Sequence, residues 1–555
     1  MRFSSSESMN KTLKLNSALP VFFLTLFFYT YSLLPSLAWG DGVKLQSEAV
    51  SGESFVISEL SSDEFKPDPF IFSKLGVAAW DHPLYTVVGH LLVRAFPFVD
   101  ALWLVNFVSA FFGAMTVALV FILVREYTKS PPASLYAALA LAISHTFWWH
   151  SSTPEVYTLF TSLLLAAFLF HNKFDKDNKP TNLFFSAFFL GLAASTHILG
   201  FLALPAVGLH YILAGEFRKV NLRGIKNLIP PALGFTAGFS LYILQFIRMS
   251  ANFPLTEIMG AMAGSAFFNQ LEPLTLASLG KSIVTYLLFL TVQFGPVGLV
   301  LGAIGFRQTY AHLNLTTRKS ISFFVVYALF GIYYRVSDQF TFFITSYVFW
   351  ALMMGLGASH LLSRLSEQRR KIAIGVLSAF LFATPFFYTA LPHIAASADM
   401  NDTTIGIPKI GTGLRNGLAY YINPFKRGDT SPYDFGYETT MGFEPNSIVI
   451  AEWYTDTDEY FILRYFTKID PIRADVKVFG WHDIAPASFD PQLVADLINL
   501  SLPESPVYIA SLSERFYNAS KLVEKYCIIP ENNVYRVYPK NTDEMQCLGK
   551  ESVTP

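Results

Sequence analysis

Long apolar segments alternate with short loops over most of the chain, and this alternation limits the fold more than any other feature. Lysines and arginines fall almost wholly in every second loop, while sparse Asp, Glu and His residues occupy the others. Loops rich in Lys and Arg stay on the cytoplasmic side of a membrane. The pattern therefore predicts about eleven transmembrane helices, the first at residues 17–38 leaving the cytoplasm and the last at 372–392 ending outside it.

The composition fits a membrane protein and argues against other classes. Of 555 residues, 52% are hydrophobic and 15% are charged. An apolar stretch of about 20 residues matches the thickness of a bilayer core. The formal net charge of −1 argues against a nucleic-acid partner, because neutralising phosphates requires a clustered basic excess. We therefore expect a polytopic α-helical membrane protein.

The first apolar segment allows two interpretations. Lys11 and Lys14 precede it and the small residues Ser36 and Ala38 end it, which is also the pattern of a cleavable signal peptide. We interpret it as a retained first helix, since cleavage would remove the membrane anchor immediately before Asp41. The sequence leaves both interpretations open.

A loop at residues 39–100 follows, and it contains a short apolar run from His82 to Phe98. We place this run on the outer surface. If it crossed the membrane, Arg125 and Lys129 would lie outside and the charge alternation would fail from there onward. The same alternation makes residues 133–150 a single crossing.

The composition becomes that of a soluble domain from about residue 395. Four β-rich stretches, beginning at Ser447, Val476, Val507 and Val534, alternate with helix-like ones. This order predicts a C-terminal extracytoplasmic α/β domain with a largely parallel sheet at 395–555, after a transmembrane domain at 1–394. It contains no glycine-rich phosphate loop, so nucleotide binding is not supported.

The chain has two cysteines, Cys527 and Cys547, and both lie in this C-terminal region. A disulfide between them is possible outside the cytoplasm. Two unpaired thiols are about as consistent with the sequence, because spacing does not show whether the two backbones approach closely enough.

Polar and charged residues near the predicted external interface are candidates for a functional site. They come from separate loops on a face otherwise poor in charge, so they could converge on one site. Charges at helix ends are also common in any membrane protein, since a charge at the bilayer centre costs roughly 2.5 to 3.5 kcal/mol. The candidates are Asp41, Lys44, Asp81, His82, His150, Glu155, His197, Arg335 and Asp338.

Short motifs follow one another in a specific order over residues 20–360. They are Gly40-Asp41 with Gln46, Leu75-Gly76-Val77 with His82-Pro83-Leu84-Tyr85, Asn106 with Ser109-Ala110, Phe147-Trp148 with Glu155-Val156-Tyr157, Gly191-Leu192-Ala193 to His197, and Tyr334-Arg335-Val336 with Asp338. In this order they resemble a multi-pass family that includes the eukaryotic reticulum O-mannosyltransferase of plexin-type domains, a branch of the GT-C glycosyltransferases. The resemblance implies a GT-C-like fold.

The resemblance also implies a chemistry in which an aspartate of the first external loop acts beside a polyprenyl-phosphate-linked sugar, and Asp41 occupies that place. A carboxylate can accept the proton of an attacking hydroxyl, which contributes about 10² to 10⁴ in rate. Attack opposite the leaving phosphate inverts the anomeric centre. The phosphate needs cationic or hydrogen-bonding groups, and the available donors are Arg335, His82, His197 and Lys44.

Other residues are expected to contact the acceptor or to shape the site, namely Asp81, Glu155, Tyr157, Tyr85 and Asp338. Structural roles are also simple interpretations, since Glu155 begins a helix and Arg335 could pair with Asp338. The chain departs from the family pattern after His82-Pro83, where Leu84-Tyr85 stand in place of a second proline and a glycine. This departure makes Asp81 a rival for the base.

We expect a glycosyltransferase that moves a sugar, mannose-type first, from a polyprenyl-phosphate carrier to an acceptor hydroxyl on the non-cytoplasmic face. A protein Ser or Thr is the first acceptor considered, with a glycan or lipid left open. No metal centre is expected, because the His, Asp and Glu spacing is not dense. The alternatives are a transporter or flippase, whose polar site would lie near the midplane, and a non-catalytic scaffold. We favour the bacterial inner membrane over the endoplasmic reticulum.

Overall fold

The fold is taken from a computed structural model, which describes most of the chain. The described residues are 4–52, 82–213, 228–250, 255–256, 275–311, 315–336, 338–400, 417–452, 459–480, 491–540, 546–549 and 553. Asp81 and the motif Leu75-Gly76-Val77 lie outside them.

Helices dominate the part of the chain before residue 400. The first eleven are α1 (Ser4–Ser32), α2 (Asp41–Ser51), α3 (Pro83–Ala95), α4 (Ala101–Thr128), α5 (Pro131–Ala142), α6 (His145–Ser152), α7 (Tyr157–Asp177), α8 (Pro180–Thr196), α9 (Ala203–Leu213), α10 (Ile229–Gly238) and α11 (Ser240–Met249). They are followed by α12 (Leu276–Ala311), α13 (Leu315–Tyr333), the short α14 (Gln339–Phe342), α15 (Ile344–Ser363) and α16 (Glu367–Ser397).

Four of the described helices, α4, α12, α15 and α16, are long and apolar enough to cross a membrane. The pair α6 and α7, bent by 113° at its break, adds a fifth if it counts as one span. Shorter apolar helices are α5 and the segments Ser17–Ser32 and Ile198–Leu213. The helical, membrane-spanning character is clear from these elements, while the count of eleven crossings stays a prediction.

Prolines and glycines explain where several helices begin or break. Pro83, Pro131 and Pro180 stand in the first turn of α3, α5 and α8, where a missing N–H costs nothing. Within α12, Gly295 adopts φ 63° immediately before Pro296, so the helix is interrupted there. The run 133–150 is likewise divided at Ile143–Ser144, so the single helix predicted there is two helices.

The helices pack through close backbone contacts as well as large side chains. Gly305 of α12 and Gly357 of α15 face each other's helix, and a Cβ on either would collide with a carbonyl group, of Met353 or Leu301 respectively. Small residues that let two backbones approach are a usual means of helix association in membranes. This crossing joins α12 to α15, which also packs on α4 and α5.

A mixed five-stranded sheet lies in the C-terminal region, in the order β2-β1-β3-β5-β4. β1 pairs parallel with β2 and β3, while β5 pairs antiparallel with β3 and β4. The strands are β1 (Ile448–Ile450), β2 (Lys477–Phe479), β3 (Val507–Ile509), β4 (Tyr526–Glu531) and β5 (Val534–Pro539). The helices here are α17 (Gly417–Ile422), α18 (Ser431–Gly442), α19 (Glu459–Arg464), α20 (Pro491–Ser501), α21 (Glu514–Tyr517) and α22 (Ala519–Lys525).

The expectation of a largely parallel sheet was wrong in its second half. The four predicted β-rich stretches correspond to β1, β2, β3 and the start of β5, but β4 was not predicted. A turn at Asn532-Asn533 joins β4 to β5, and Asn532 has φ 54°. Asparagine tolerates this left-handed conformation, and a two-residue turn of this kind produces a hairpin and therefore antiparallel pairing.

Cys527 and Cys547 form a disulfide with their Cα atoms 5.0 Å apart. The bond ties residues 546–549 to β4, where the amide of Leu548 also donates to the carbonyl of Ile528 over 2.9 Å. The pairing that the sequence left open is thus present.

The C-terminal region that contains the sheet packs against α2 and its neighbours in the helical part. One apolar cluster combines Trp39, Val43 and Trp149 of the helical part with Phe435 and Tyr460 of the C-terminal region. Helix α16 continues to Ser397, slightly beyond the predicted boundary at 394. The packing brings residues after 416 next to the candidate site.

Candidate functional site

Two buried amide side chains fix the segment that leads from α1 to Asp41. Gln46 Oε1 accepts from the amide of Ala38 over 2.9 Å, and Gln46 Nε2 donates to Asn106 Oδ1 over 2.8 Å. Asn106 Nδ2 in turn donates to the carbonyls of Leu34 and Ser36 over 3.0 and 2.9 Å. The loop is therefore held from α2 and α4 on both of its sides.

Asp41 is the first residue of α2 and its side chain is exposed. The preceding Gly40 has φ 70°, a conformation that favours glycine and turns the chain into the helix. A carboxylate at this position is stabilised by the helix dipole. Asp41 is thus an accessible carboxylate on a fixed backbone.

Helix α2 approaches the turn of residues 153–156, which lies outside both α6 and α7. A Cβ placed on Gly42 would lie 3.0 Å from Pro154 Cγ and 3.2 Å from its carbonyl oxygen. This contact sets Asp41 near Glu155, which follows Pro154. Burial, together with the negative charges of Asp41 and Asp338, raises the pKa of the half-buried Glu155.

Two hydroxyl groups hold the backbone of Glu155. Ser109 Oγ accepts from the amide of Glu155 and donates to its carbonyl, each over 3.0 Å. The buried Tyr85 hydroxyl lies 2.9 Å from Ser109 Oγ and donates to the carbonyl of Val105 over 3.0 Å. Helices α3 and α4 therefore position the turn that carries Glu155.

His82 and His197 stack, with ring centroids 5.1 Å apart and planes 16° from parallel. His197 Nδ1 accepts from the amide of Leu199 over 3.1 Å, so the hydrogen of the neutral ring is on Nε2. His82 Nδ1 lies 2.8 Å from the carbonyl of Thr196 and therefore carries a hydrogen. The pair can offer an Nε2–H donor from His197, with the ring of His82 held beside it by its Nδ1 contact to Thr196.

Tyr157, at the start of α7, joins the histidine pair to the carboxylates. The centroid of its ring lies 5.3 Å from that of His197 and 4.9 Å from that of His150. Its hydroxyl group also interacts electrostatically with the carboxylates of Asp338, Glu155 and Asp41. His150 is buried, and its Nε2 lies 3.1 Å from Thr341 Oγ1 of α14. Among the described residues, no group of three His, Cys, Asp or Glu side chains could hold a metal ion.

The other predicted residues are less closely joined to this cluster. Arg335 Nη2 donates to Ser282 Oγ over 2.6 Å and lies 3.4 Å from the carbonyl of Ser278, so its guanidinium contacts the start of α12. Lys44 is buried on α2, about one turn after Asp41. The structure thus groups Asp41, Glu155, Tyr157 and Asp338, with the histidine pair beside Tyr157.

Sequence reasoning missed the residues that support the site. Gln46, Asn106 and Ser109 entered the analysis only as parts of motifs, and Ser282 and Trp39 did not enter it. A buried amide such as Asn106 within an apolar helix is a detectable signal, because it must find hydrogen-bond partners. The contact between Arg335 and Ser282 has no local signal, since it joins two distant helices.

Comparison with known proteins gives the chain a family context. A family model described as the protein O-mannosyl-transferase TMEM260 N-terminal domain matches residues 73–221. The protein O-mannosyl-transferase tmem260 of Dictyostelium discoideum is 20% identical over 534 residues, covering 82% of this chain and 62% of that protein. The TMEM260 protein of Mus musculus is 33% identical over 97 residues, or 17% of this chain and 14% of that protein. The chain spans less than two thirds of these relatives' length.

Two solved structures show the same fold. ArnT from Cupriavidus metallidurans aligns with a TM-score of 0.57 and 13% identity, covering 99% of this chain and all of that one. The Archaeoglobus fulgidus oligosaccharyltransferase, tethered with an acceptor peptide, aligns with a TM-score of 0.52 and 12% identity over 95% of this chain and 74% of that one. This chain accordingly shares the fold of these two proteins, contains helices long and apolar enough to cross a membrane, and is similar in sequence to the TMEM260 protein O-mannosyl-transferases.

Proposed function

We propose that this protein transfers a sugar, mannose first, from a polyprenyl-phosphate carrier to a Ser or Thr hydroxyl of a protein, with inversion. The observation that carries the proposal is the position of Asp41, exposed at the start of α2 and grouped with Glu155, Tyr157 and Asp338. The names of the two TMEM260 relatives support mannose as the sugar and a protein as the acceptor.

In this mechanism Asp41 is the general base. Its carboxylate takes the proton of the acceptor hydroxyl while the acceptor oxygen forms a bond to the anomeric carbon. The bond from that carbon to the phosphate oxygen breaks, and the electron pair leaves with the lipid phosphate. A phosphate departs without a strong acid, so hydrogen bonds and positive charge at the phosphate are the further requirement.

The histidine pair is the first candidate for the phosphate contact. His197 offers an Nε2–H whose direction is fixed by the bond from Leu199, and His82 stacks beside it. Arg335 and Lys44 are the second candidates. Arg335 already donates to Ser282, so binding a phosphate requires its guanidinium to share or exchange that contact.

The acceptor side of the site is assigned to Glu155, Tyr157, Tyr85 and Asp338. With its pKa raised, Glu155 retains a proton more readily than an exposed glutamate and can donate a hydrogen bond to a sugar or acceptor oxygen. Tyr85 acts from a distance, since its hydroxyl contacts Ser109, which holds the Glu155 backbone.

We place the site and the C-terminal region on the non-cytoplasmic side, in the bacterial inner membrane rather than the endoplasmic reticulum. The alternation of basic loops supports this orientation. The disulfide between Cys527 and Cys547 supports an oxidising compartment for the C-terminal region, since such bonds persist outside the cytoplasm.

The test is transfer by the purified protein from a panel of polyprenyl-phosphate sugars to proteins in a membrane extract. Asp41→Asn should lower the rate about 10² to 10⁴-fold, because the base is removed while the shape is kept. Asp100→Asn is the matched control. Asp100 caps α4 by accepting from the amide of Trp103 over 2.8 Å, a role that asparagine fills equally well.

Full activity of Asp41→Asn would contradict the assignment of the base. Absence of transfer with every donor, together with movement of a labelled solute across liposomes, would replace the proposal with the transporter alternative.

A further inference from the structure

The segment from Gly417 to Phe435, here called the clasp, contacts the loop that carries Asp41. Trp39, two residues before Asp41, is buried and its Nε1–H donates to Ser431 Oγ over 3.0 Å. The Ser431 hydroxyl donates in turn to Asp429 Oδ1 over 2.6 Å, so its oxygen is free to accept from the indole. The ring of Phe435 packs on Trp39 at 5.5 Å.

The clasp also holds the end of α1. The amide of Lys426 donates to the carbonyl of Ser32, the last residue of α1, over 2.9 Å. The buried Lys426 ammonium donates to the carbonyl of Tyr420 and lies 3.9 Å from the Tyr420 ring and 5.6 Å from the Trp149 ring. A buried ammonium with a carbonyl and two aromatic faces is a specific, costly arrangement that fixes this part of the clasp.

The same segment binds α6, the helix that leads into the turn of Glu155. Trp149 Nε1 donates to the carbonyl of Tyr420 over 3.1 Å, and His145 Nε2 lies 2.8 Å from the carbonyl of Tyr421. The ring of Tyr421 stacks on Trp149 at 6.0 Å. The clasp thus forms hydrogen bonds with three ring side chains of the helical part, Trp39, His145 and Trp149.

The loop with Asp41 and the helix before Glu155 are also connected without the clasp. The amide of Leu34 donates to the carbonyl of Ser152, and Ser32 Oγ lies 2.9 Å from Ser152 Oγ. The loop with Asp41 and the turn with Glu155 are therefore joined in two ways, directly and through the clasp. Fixing reacting groups relative to each other is a large part of catalysis by positioning.

We infer that the clasp is a positioning element of the active site, which sets Asp41 and Glu155 relative to each other through Trp39, Ser431 and Lys426. These are positioning residues, since they act through the loop of Asp41 and the helix before Glu155. The expected effect on kcat rests on the proposed function. The expected effect on the mobility of the loop of Asp41 rests on the contacts alone.

The kinetic test compares Trp39→Phe, which keeps a ring but removes the N–H, with Ser431→Ala and the double variant. Each single change should lower kcat roughly three- to tenfold with the donor KM within about twofold, the size expected for one buried hydrogen bond. The double variant should be no slower than the worse single one, because both changes remove the same bond. Trp103→Phe on α4 and Ser513→Ala, the cap of α21, are the controls.

A second readout does not depend on sugar transfer. Hydrogen exchange in residues 33–46 should become faster in Ser431→Ala, while exchange within α7 and in Ser513→Ala stays as in the wild type. If the wild type is active and the variants show unchanged exchange and unchanged kcat, the inference is overturned. Additive losses of kcat in the double variant, or a change confined to KM, would also overturn it. If the wild type itself transfers no sugar and Ser431→Ala still shows faster exchange, the structural role of the clasp is supported and the proposed function is refuted.

Discussion

Asp41 and Glu155 show how two carboxyl groups on adjoining turns receive different surroundings. Asp41 is exposed at a helix N-terminus, whereas Glu155 is half-buried and its backbone is held by Ser109. Separating the surroundings of paired acids is a common way to give them different protonation states. The exposed Asp41 suits a base, and the half-buried Glu155 suits a hydrogen-bond donor.

Glu155→Gln should stabilise the protein at neutral pH. The carboxyl has a raised pKa in the folded state, so the wild type is penalised once pH exceeds the unfolded value of about 4.3 and the penalty grows until the folded pKa is passed. The measurement is the thermal midpoint in detergent from pH 4 to pH 9. The variant should melt higher at pH 8, and the difference should vanish near pH 4.

The Asp41→Asn background gives the control for this prediction. Removing one neighbouring charge lowers the penalty on Glu155, so the gain from Glu155→Gln should be smaller there. An equal gain in both backgrounds would show that burial rather than the charge of Asp41 sets the penalty, and a gain that persists at pH 4 would show that ionisation of Glu155 is not its cause.

At the level of elements, the approach of α2 to the turn before α7 depends on Gly42. A Cβ there would lie 2.8 Å from Ala38 Cβ and 3.0 Å from Pro154 Cγ, so α2 or the segment of Ala38 must move and the turn of Pro154 must give way slightly. Elements with such contacts tolerate little change in position. The missing side chain of Gly42 therefore allows the close approach of α2 to the turn that carries Glu155.

Gly42→Ala should displace α2, cost about 1 to 3 kcal/mol of stability and lower sugar transfer at least tenfold. Gly208→Ala on α9 is the matched control, since a Cβ there meets no atom within 4 Å and alanine favours the helix by up to about 1 kcal/mol. Transfer rates and thermal midpoints of both variants give the comparison. Equal transfer by the two variants would contradict the role of the close approach.

The sequence predicted structure best where the cause lies within a single helix or strand. Buried strands such as Val507–Ile509 form short apolar runs, and the prolines that begin α3, α5 and α8 act locally. The interruption between α5 and α6 and the turn at Asn532 each depend on one or two residues. Whether such residues interrupt a helix or form a hairpin is decided by the packing around them. The contacts of Arg335 and Trp39 join distant segments, so no local pattern could indicate them.

For the whole molecule, the C-terminal region is stabilised by its own covalent link. Cys527 and Cys547 close a loop with a sequence separation of 20 residues. In the chain-entropy view such a loop contributes about 3 kcal/mol by restricting the unfolded state. The link is confined to the sheet edge, since it ties 546–549 to β4.

Replacing both cysteines by serine should lower the unfolding temperature of the C-terminal region and leave the helical part nearly unchanged. The measurement is calorimetry or limited proteolysis followed domain by domain, with reduction of the wild type as a second route to the same state. A variant as stable as the wild type would mean that the sheet and its helices suffice without the link.

The contact between Trp39 and Ser431 joins positions 392 residues apart in the chain. At a synthesis rate of about 5 to 20 residues per second, roughly 20 to 80 seconds pass between the emergence of the two partners. The loop of Asp41 is thus made early but is completed only after a further 392 residues have been synthesised. A chain that stops before α18 would reach the membrane without a finished site, so premature termination would yield an inert product rather than an unregulated one.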